Sequence, residues 1–189
     1  MNNDINVDVK DNFLSETDFL KINKKLCDMR ETQTDKVPWF PGYTLYPNDK
    51  NLLCDDKDNY QFCHHFVPDL PLSYRYDSKY KSTFLPLINP LIKKINIKSC
   101  VRIKANLNTR TSKIIRHGFH VDDNDAYKFK DYKVSIFYVN SNDGYTEFED
   151  GTRIESVDNR LVTFPAYLPH TGTTCTDQPF RVVINFNYF

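Results

Sequence analysis

His120, Val121 and Asp122 place an imidazole and a carboxylate two residues apart. On an extended chain, residues i and i+2 point to the same side, so both can reach one ion from adjacent pleats. His170 follows 50 residues later, in Pro169-His170-Thr171-Gly172, a strand-and-turn context. Two imidazoles and one carboxylate bind one face of iron(II) and leave the opposite coordination positions open for other ligands and oxygen. An H-x-D pair alone is common by chance. The ordered set of H-x-D, a later His near a turn, and Arg181 eleven residues beyond it is far more specific.

Arg181 gains meaning from its strand. Between Phe180 and Phe189 one face carries Phe180, Val182, Ile184, Phe186 and Tyr188, and the other Arg181, Val183, Asn185 and Asn187. The aromatic face is expected to pack on helices and the Arg face to look into a barrel. A guanidinium turned inward needs an anion, either a ligand or an internal carboxylate. Other residues able to do chemistry are harder to place. His117 precedes His120 by three, so strand alternation sends it to the opposite side, to the surface or toward a substrate. His64 and His65 are adjacent and cannot face one site. Arg102, Lys104, Asn106 and Asn108 share a face that is either solvated or turned to a substrate.

The elements that must hold these residues are mostly strands. From residue 100 onward the apolar period is two, over 101–107, 118–122, 133–140, 146–148, 160–164, 169–172 and 180–189, with Asn142-Asp143-Gly144 and Glu149-Asp150-Gly151 among the turn signals. Residues 5–9 and 60–67 read as further strands. Ser15 caps an expected helix with Phe19, Leu20, Ile22, Leu26 and Met29 as its stripe, and residues 80–94 suggest a second. There Pro86 suits the first turn, whereas Pro90 either kinks the helix or shifts its start. The segment 31–60 reads as irregular with short strands.

Helices followed by many antiparallel-looking strands predict a mainly β protein with a jelly-roll core. The 189 residues suit a single domain, with helical support and irregular segments over 1–99 and the jelly-roll over 100–189. The 14 Phe and 12 Tyr favour a β-rich core. Twenty-five basic residues balance twenty-five acidic ones, which gives no support to a chain built to coat nucleic acid. Five scattered cysteines without a C-x-x-C pair argue for reduced thiols rather than a disulfide framework or zinc knuckle. No apolar run is long enough to span a bilayer, and the N-terminal residues lack a secretory pattern, so a cytoplasmic protein is expected.

Several blocks in order resemble the iron(II)/2-oxoglutarate oxygenase superfamily, especially its prolyl-hydroxylase-like branch. They are His120-Val121-Asp122, Ile136-Phe137-Tyr138-Val139-Asn140, Gly144-Tyr145-Thr146-Glu147-Phe148, Asn159-Arg160-Leu161-Val162-Thr163-Phe164, Pro169-His170-Thr171-Gly172 and Arg181 through Phe189. The helical start around Phe13–Leu26 is similar too, while 30–100 match only loosely. The resemblance implies a double-stranded β-helix (cupin-like) dioxygenase, with Fe(II) held by His120, Asp122 and His170. It implies that Arg181 pairs with the far carboxylate of 2-oxoglutarate, with Tyr138 adding a hydroxyl and Asn185 beside them. Val183 stands where some relatives carry a hydroxyl, which leaves Tyr138 as the donor. Asn106 or Asn108 stands where prolyl hydroxylases often carry a Tyr. The implied reaction hydroxylates a substrate C–H bond, consuming O2 and yielding succinate and CO2, with ascorbate as a stimulant. A protein or peptide side chain, prolyl in particular, is the leading substrate. A nucleobase or small metabolite, or a non-catalytic jelly-roll binding protein, are the rivals. Two segments are placed to cover the site: the region around Trp39, Tyr43 and Tyr46, and, better, the loop 123–132 that follows Asp122.

Overall fold

The computed structural model describes residues 6–30, 35–47, 49–69, 79 and 81–189. The expected first strand's Ile5 and the expected second helix's first residue, Tyr80, fall outside them. Ser15 does cap the first helix, α1 (Glu16–Cys27): its hydroxyl accepts from the Asp18 backbone N–H at 3.3 Å. Glu16 and Asp18 lie in the first turn and Lys24 and Lys25 in the last, each placed to suit the helix dipole. The buried stripe is Phe19, Ile22 and Leu26, whereas Leu20 and Met29 face solvent. The helix stops at Cys27 because Asp28 is extended, so the expected continuation to Met29 does not form. In the second helical region a 3-10 turn, Leu85–Ile88, precedes α2 (Asn89–Ile95). Pro90 stands at the start of α2, so it shifts the helix rather than kinking it.

Among the described residues the strands form two sheets. The larger has seven: β1 (Asp8–Lys10), β2 (Phe40–Tyr43), β3 (Tyr60–Val67), β4 (Cys100–Thr109), β5 (Lys133–Tyr138), β8 (Arg160–Pro165) and β10 (Phe180–Tyr188). Its order is β1-β8-β5-β10-β4-β3-β2. The smaller has three, in the order β7-β6-β9: β6 (Tyr145–Phe148), β7 (Arg153–Glu155) and β9 (His170–Gly172). The fold is mainly β with few helices, in the double-sheet arrangement of a jelly-roll core. No helix among the described residues is long and apolar enough to cross a membrane.

β10 lies at the centre of the large sheet, paired with β4 on one side and β5 on the other. Its apolar face, Val182, Ile184, Phe186 and Tyr188, joins Phe19, Ile22, Leu26, Ile88 and Leu91 in one core cluster. Each of the fully buried members contributes roughly 1.5–3 kcal/mol by leaving water. The large sheet's other face is turned to the small sheet. This frees the opposite face of β10 to line an internal space.

The expected strand 118–122 is not continuous. Arg116, Gly118 and His120 make isolated bridges, to Thr173, Leu52 and His170 respectively. Gly118 is the reason. Its φ of 147° belongs to glycine, and a Cβ there would sit 2.3 Å from the Asn51 carbonyl oxygen. The irregularity breaks strand alternation, so His117 and His120 end on the same cavity rather than on opposite sides. Substituting Gly118→Ala is therefore expected to cost about 2 kcal/mol or more from strain and clash. It should also weaken metal binding by displacing His120. Urea denaturation and a cobalt(II) titration check this, and wild-type values in both would contradict it.

Candidate metal centre

His120 and His170 exchange two backbone hydrogen bonds, each 3.0 Å. This pairing brings the end of the 116–120 segment onto β9 and sets the two imidazoles with their ring centres 5.0 Å apart. In both residues Nδ1 faces a backbone carbonyl two residues upstream, Gly118 at 3.1 Å and Leu168 at 3.2 Å. A carbonyl only accepts, so Nδ1 carries the proton and Nε2 keeps a lone pair for a metal. The His170 ring packs against Phe148 and Phe164.

Asp122 completes the group, and ligand atoms of His120, Asp122 and His170 all lie within 4.8 Å of one another. Its side chain is held on both oxygens. The Arg102 guanidinium stands 2.8 Å from Oδ1, and Asn187 Nδ2 donates to Oδ2 at 2.9 Å. Arg102 Nε in turn donates to Asn187 Oδ1 at 3.1 Å. Burial opposes ionisation of Asp122, but Arg102, both imidazoles and Asn187 outweigh it and hold the carboxyl well below the usual range. Burial, helped by His120, pushes His170 down to about 4. One ionised carboxylate and two imidazoles whose Nδ1 atoms face backbone carbonyls suit a divalent first-row ion such as iron(II).

The three residues line a cavity of about 840 Å³ between the sheets. Arg181 lines the same cavity and is 2% exposed. Its Nε donates to Ser156 Oγ at 2.8 Å and its Nη2 to Thr146 Oγ1 at 3.1 Å. Among the described residues no carboxylate pairs with it, so the internal ion pair that sequence left open does not form. Gly144 makes room: a Cβ there would lie 2.7 Å from Arg181 Cδ and 2.6 Å from the Thr174 carbonyl oxygen.

Tyr138 behaves differently from expectation. It is fully buried, its ring lies 5.6 Å from the Arg181 guanidinium carbon, and its hydroxyl donates to Thr146 Oγ1 at 2.8 Å. Thr146 is the hydroxyl that lines the cavity, so Tyr138 reaches it only through Thr146. Accepting from both Tyr138 and Arg181, Thr146 has its own proton left to donate. Sequence reasoning missed Thr146 and Ser156. Thr146 sat inside a quoted block, two residues before Phe148, but only the meeting of β6 with β10's Arg reveals its role.

Asn185 lines the cavity, with its Oδ1 buried and unpartnered. Arg102, Lys104, Asn106 and Asn108 do too, which settles that face as internal. His117 is buried rather than at the surface, with Nδ1 3.3 Å from the Gly172 carbonyl. His64 is a structural histidine between the Pro38 carbonyl (2.9 Å) and Ser82 Oγ (2.8 Å). At the mouth stand Tyr43, Tyr46, Asn124 and Asp125, whereas Trp39 packs on the helical core. The five cysteines form no disulfide with one another.

No protein-family model and no curated protein sequence matches the chain. Solved structures do. A prolyl hydroxylase from Trichoplax adhaerens, in complex with a hypoxia-inducible-factor peptide fragment, matches with a TM-score of 0.61 at 15% identity, over 99% of this chain and 84% of that one. The Pseudomonas putida prolyl-4-hydroxylase gives 0.57 at 12% identity, over 98% and 93%. The viral collagen prolyl hydroxylase of Paramecium bursaria Chlorella virus-1, as its 2-oxoglutarate complex, gives 0.55 at 14%, over 96% and 94%. The chain has the fold of the iron(II)/2-oxoglutarate oxygenases. The likeness is one of fold, and it arrives with the His-x-Asp…His set already in place.

The buried imidazoles give a pH dependence. His170 and His117 are both pushed to about 4, chiefly by burial, against about 6.5 unfolded. Below about pH 6.5 the unfolded chain takes up protons that the native state refuses, so stability falls as pH drops toward 4. Each histidine should cost on the order of 2 kcal/mol between pH 7 and 5. Denaturant titrations of metal-free protein at the two pH values check this, and equal stabilities would contradict it.

Proposed function

We propose that the protein is an iron(II)- and 2-oxoglutarate-dependent dioxygenase that hydroxylates a C–H bond of its substrate. The carrying observation is Arg181, a buried guanidinium whose hydrogen-bond partners among the described residues are hydroxyls, opening into the same cavity as the metal-competent triad. A dicarboxylic 2-oxo acid fits that pairing. One end would meet Arg181 and the Thr146 hydroxyl, and the other the metal. His120, Asp122 and His170 would hold the iron, which when bound supplies the oxidising chemistry with O2 and releases succinate and CO2 from the cosubstrate.

The protein's own contribution is positional. Arg181 offers a charge-assisted, two-point contact to a carboxylate. Tyr138 fixes Thr146 so that its proton points to the ligand, and Asn185 lies on the same wall. Ascorbate is expected to sustain turnover by keeping iron reduced. For the substrate we favour a peptide or protein side chain, prolyl in particular. The support is the fold shared with three prolyl hydroxylases and the open aromatic mouth at Tyr43 and Tyr46. The loop 123–132 would close over it: Tyr127 is 72% exposed, Phe129 is exposed as well, and Ala126 and Tyr132 anchor the loop.

Incubation with iron(II), ascorbate, 2-oxoglutarate, O2 and a proline-peptide library tests the activity. Succinate and a +16 Da peptide product, both dependent on Asp122, are expected (~16 Da being one added oxygen atom). Cosubstrate binding tests the site itself. Titrating 2-oxoglutarate into nickel-loaded protein, Arg181→Ala should lose roughly 2–5 kcal/mol. Thr146→Val should lose about 1.5–3 and Tyr138→Phe about 1, since the phenol acts only through Thr146. Unchanged affinity in Arg181→Ala would overturn the reading, and a larger loss in Tyr138→Phe than in Thr146→Val would overturn the relay.

A further inference from the structure

One cation on the cavity wall is not used by the site described so far. Lys104 lies on β4, two residues from Arg102 and on the same face, and both line the cavity. Arg102 is engaged by Asp122 and Asn187. Lys104 makes no hydrogen bond or ion pair with any described residue. Its register partners are Asn185 on β10 and His65 on β3, neither of which is an anion. Asn185 Oδ1, directly across from it, is itself buried without a partner. The one carboxylate that Lys104 senses is Asp122, already paired with Arg102 and needed by the metal.

An ammonium half enclosed between two strands, beside a guanidinium, loses hydration without gaining a counter-ion. Iron at Asp122 would add positive charge close by. The far end of 2-oxoglutarate is accounted for by Arg181, four register pairs away along β10: Arg181 faces Asn108, whereas Asn185 faces Lys104. Asp69 also lines the cavity but acts on Arg102 and His65 rather than on Lys104, so Lys104 keeps no carboxylate of its own when the metal and the far carboxylate are both in place.

We propose that Lys104 binds a second carboxylate in this cavity, one carried by the substrate close to the C–H bond that reacts. The inference rests on the oxygenase reading and narrows it. The substrate is an acidic molecule or an acidic peptide rather than a neutral proline peptide. Burial and the neighbouring Arg102 both lower the Lys104 pKa, as expected of a cation whose partner is not a resident side chain. The same chemistry has one other source, the metal-proximal carboxylate of the cosubstrate, and binding experiments separate the two.

Acetate serves as the probe, added to zinc-loaded protein saturated with 2-oxoglutarate and followed through the backbone amide signals of β4. The expected result is a saturable acetate site in the wild type, weakened at least 10-fold in Lys104→Met and recovered in Lys104→Arg (roughly the factor one charge-assisted contact supplies). 2-Oxoglutarate affinity would be unchanged. If acetate finds no site but Lys104→Met weakens 2-oxoglutarate by about 10-fold, the carboxylate is the cosubstrate's own and the substrate assignment falls. If Lys104→Met changes neither, with its thermal melt intact, the proposal is wrong altogether. Failure of the oxygenase reading looks different, because Arg181→Ala would then leave 2-oxoglutarate binding untouched whatever Lys104 does.

Discussion

The reciprocal pair of backbone hydrogen bonds between His120 and His170 is what the site depends on. It joins an irregular segment to the last strand of the small sheet and fixes the spacing of two imidazoles without using their side chains. Once the backbones are paired, each ring needs only its own upstream carbonyl to set the tautomer, at Gly118 and Leu168. Gly118 is the point where the chain must pass against Asn51, and no residue with a Cβ fits there. The metal-competent group thus rests on main-chain geometry, with Phe148 and Phe164 packing the His170 ring from the side.

Charge in the cavity follows from the central position of β10. A strand buried on both faces must either be apolar on both or bring its polar residues to a ligand. The inward face of β10 is polar: it carries Arg181, Asn185 and Asn187, which line the cavity or brace Asp122. Asn187 and Arg102 hold Asp122 from behind, so the metal carboxylate is oriented and ionised before any ion arrives. Arg181 is kept in place by Ser156 and Thr146 hydroxyls, which satisfy two of its donors without neutralising it. A buried cation held this way, with its charge unneutralised among the described residues, is suited to an anion.

Much of this was legible in the sequence, because strand alternation carries information over long runs. The two faces of 180–188, the H-x-D pair and the later His pointed to the metal-competent group and to the inward Arg. Alternation fails where the backbone leaves the strand region. Gly118 did so, and His117, expected on the side opposite His120, is buried in the wall of the same cavity. Contacts between distant strands were also unreadable. Ser156, just after the short strand β7 that sequence did not show, reaches Arg181, and Thr146 stands between Tyr138 and the cavity. The face of Arg102 and Lys104 was undecided for the same reason. A half-polar strand reads alike whether water or a cavity lies beside it.

The central claim is that one cavity holds a metal at His120, Asp122 and His170 together with a 2-oxo acid anchored by Arg181. The most direct measurement is visible absorption on adding 2-oxoglutarate to iron(II)-loaded protein without oxygen, where a chelated 2-oxo acid produces a charge-transfer band. The account predicts a band that saturates at one iron and one 2-oxoglutarate per chain, and that disappears in Asp122→Ala. Iron binding without any such band, or a band that survives loss of all three ligands, would contradict it.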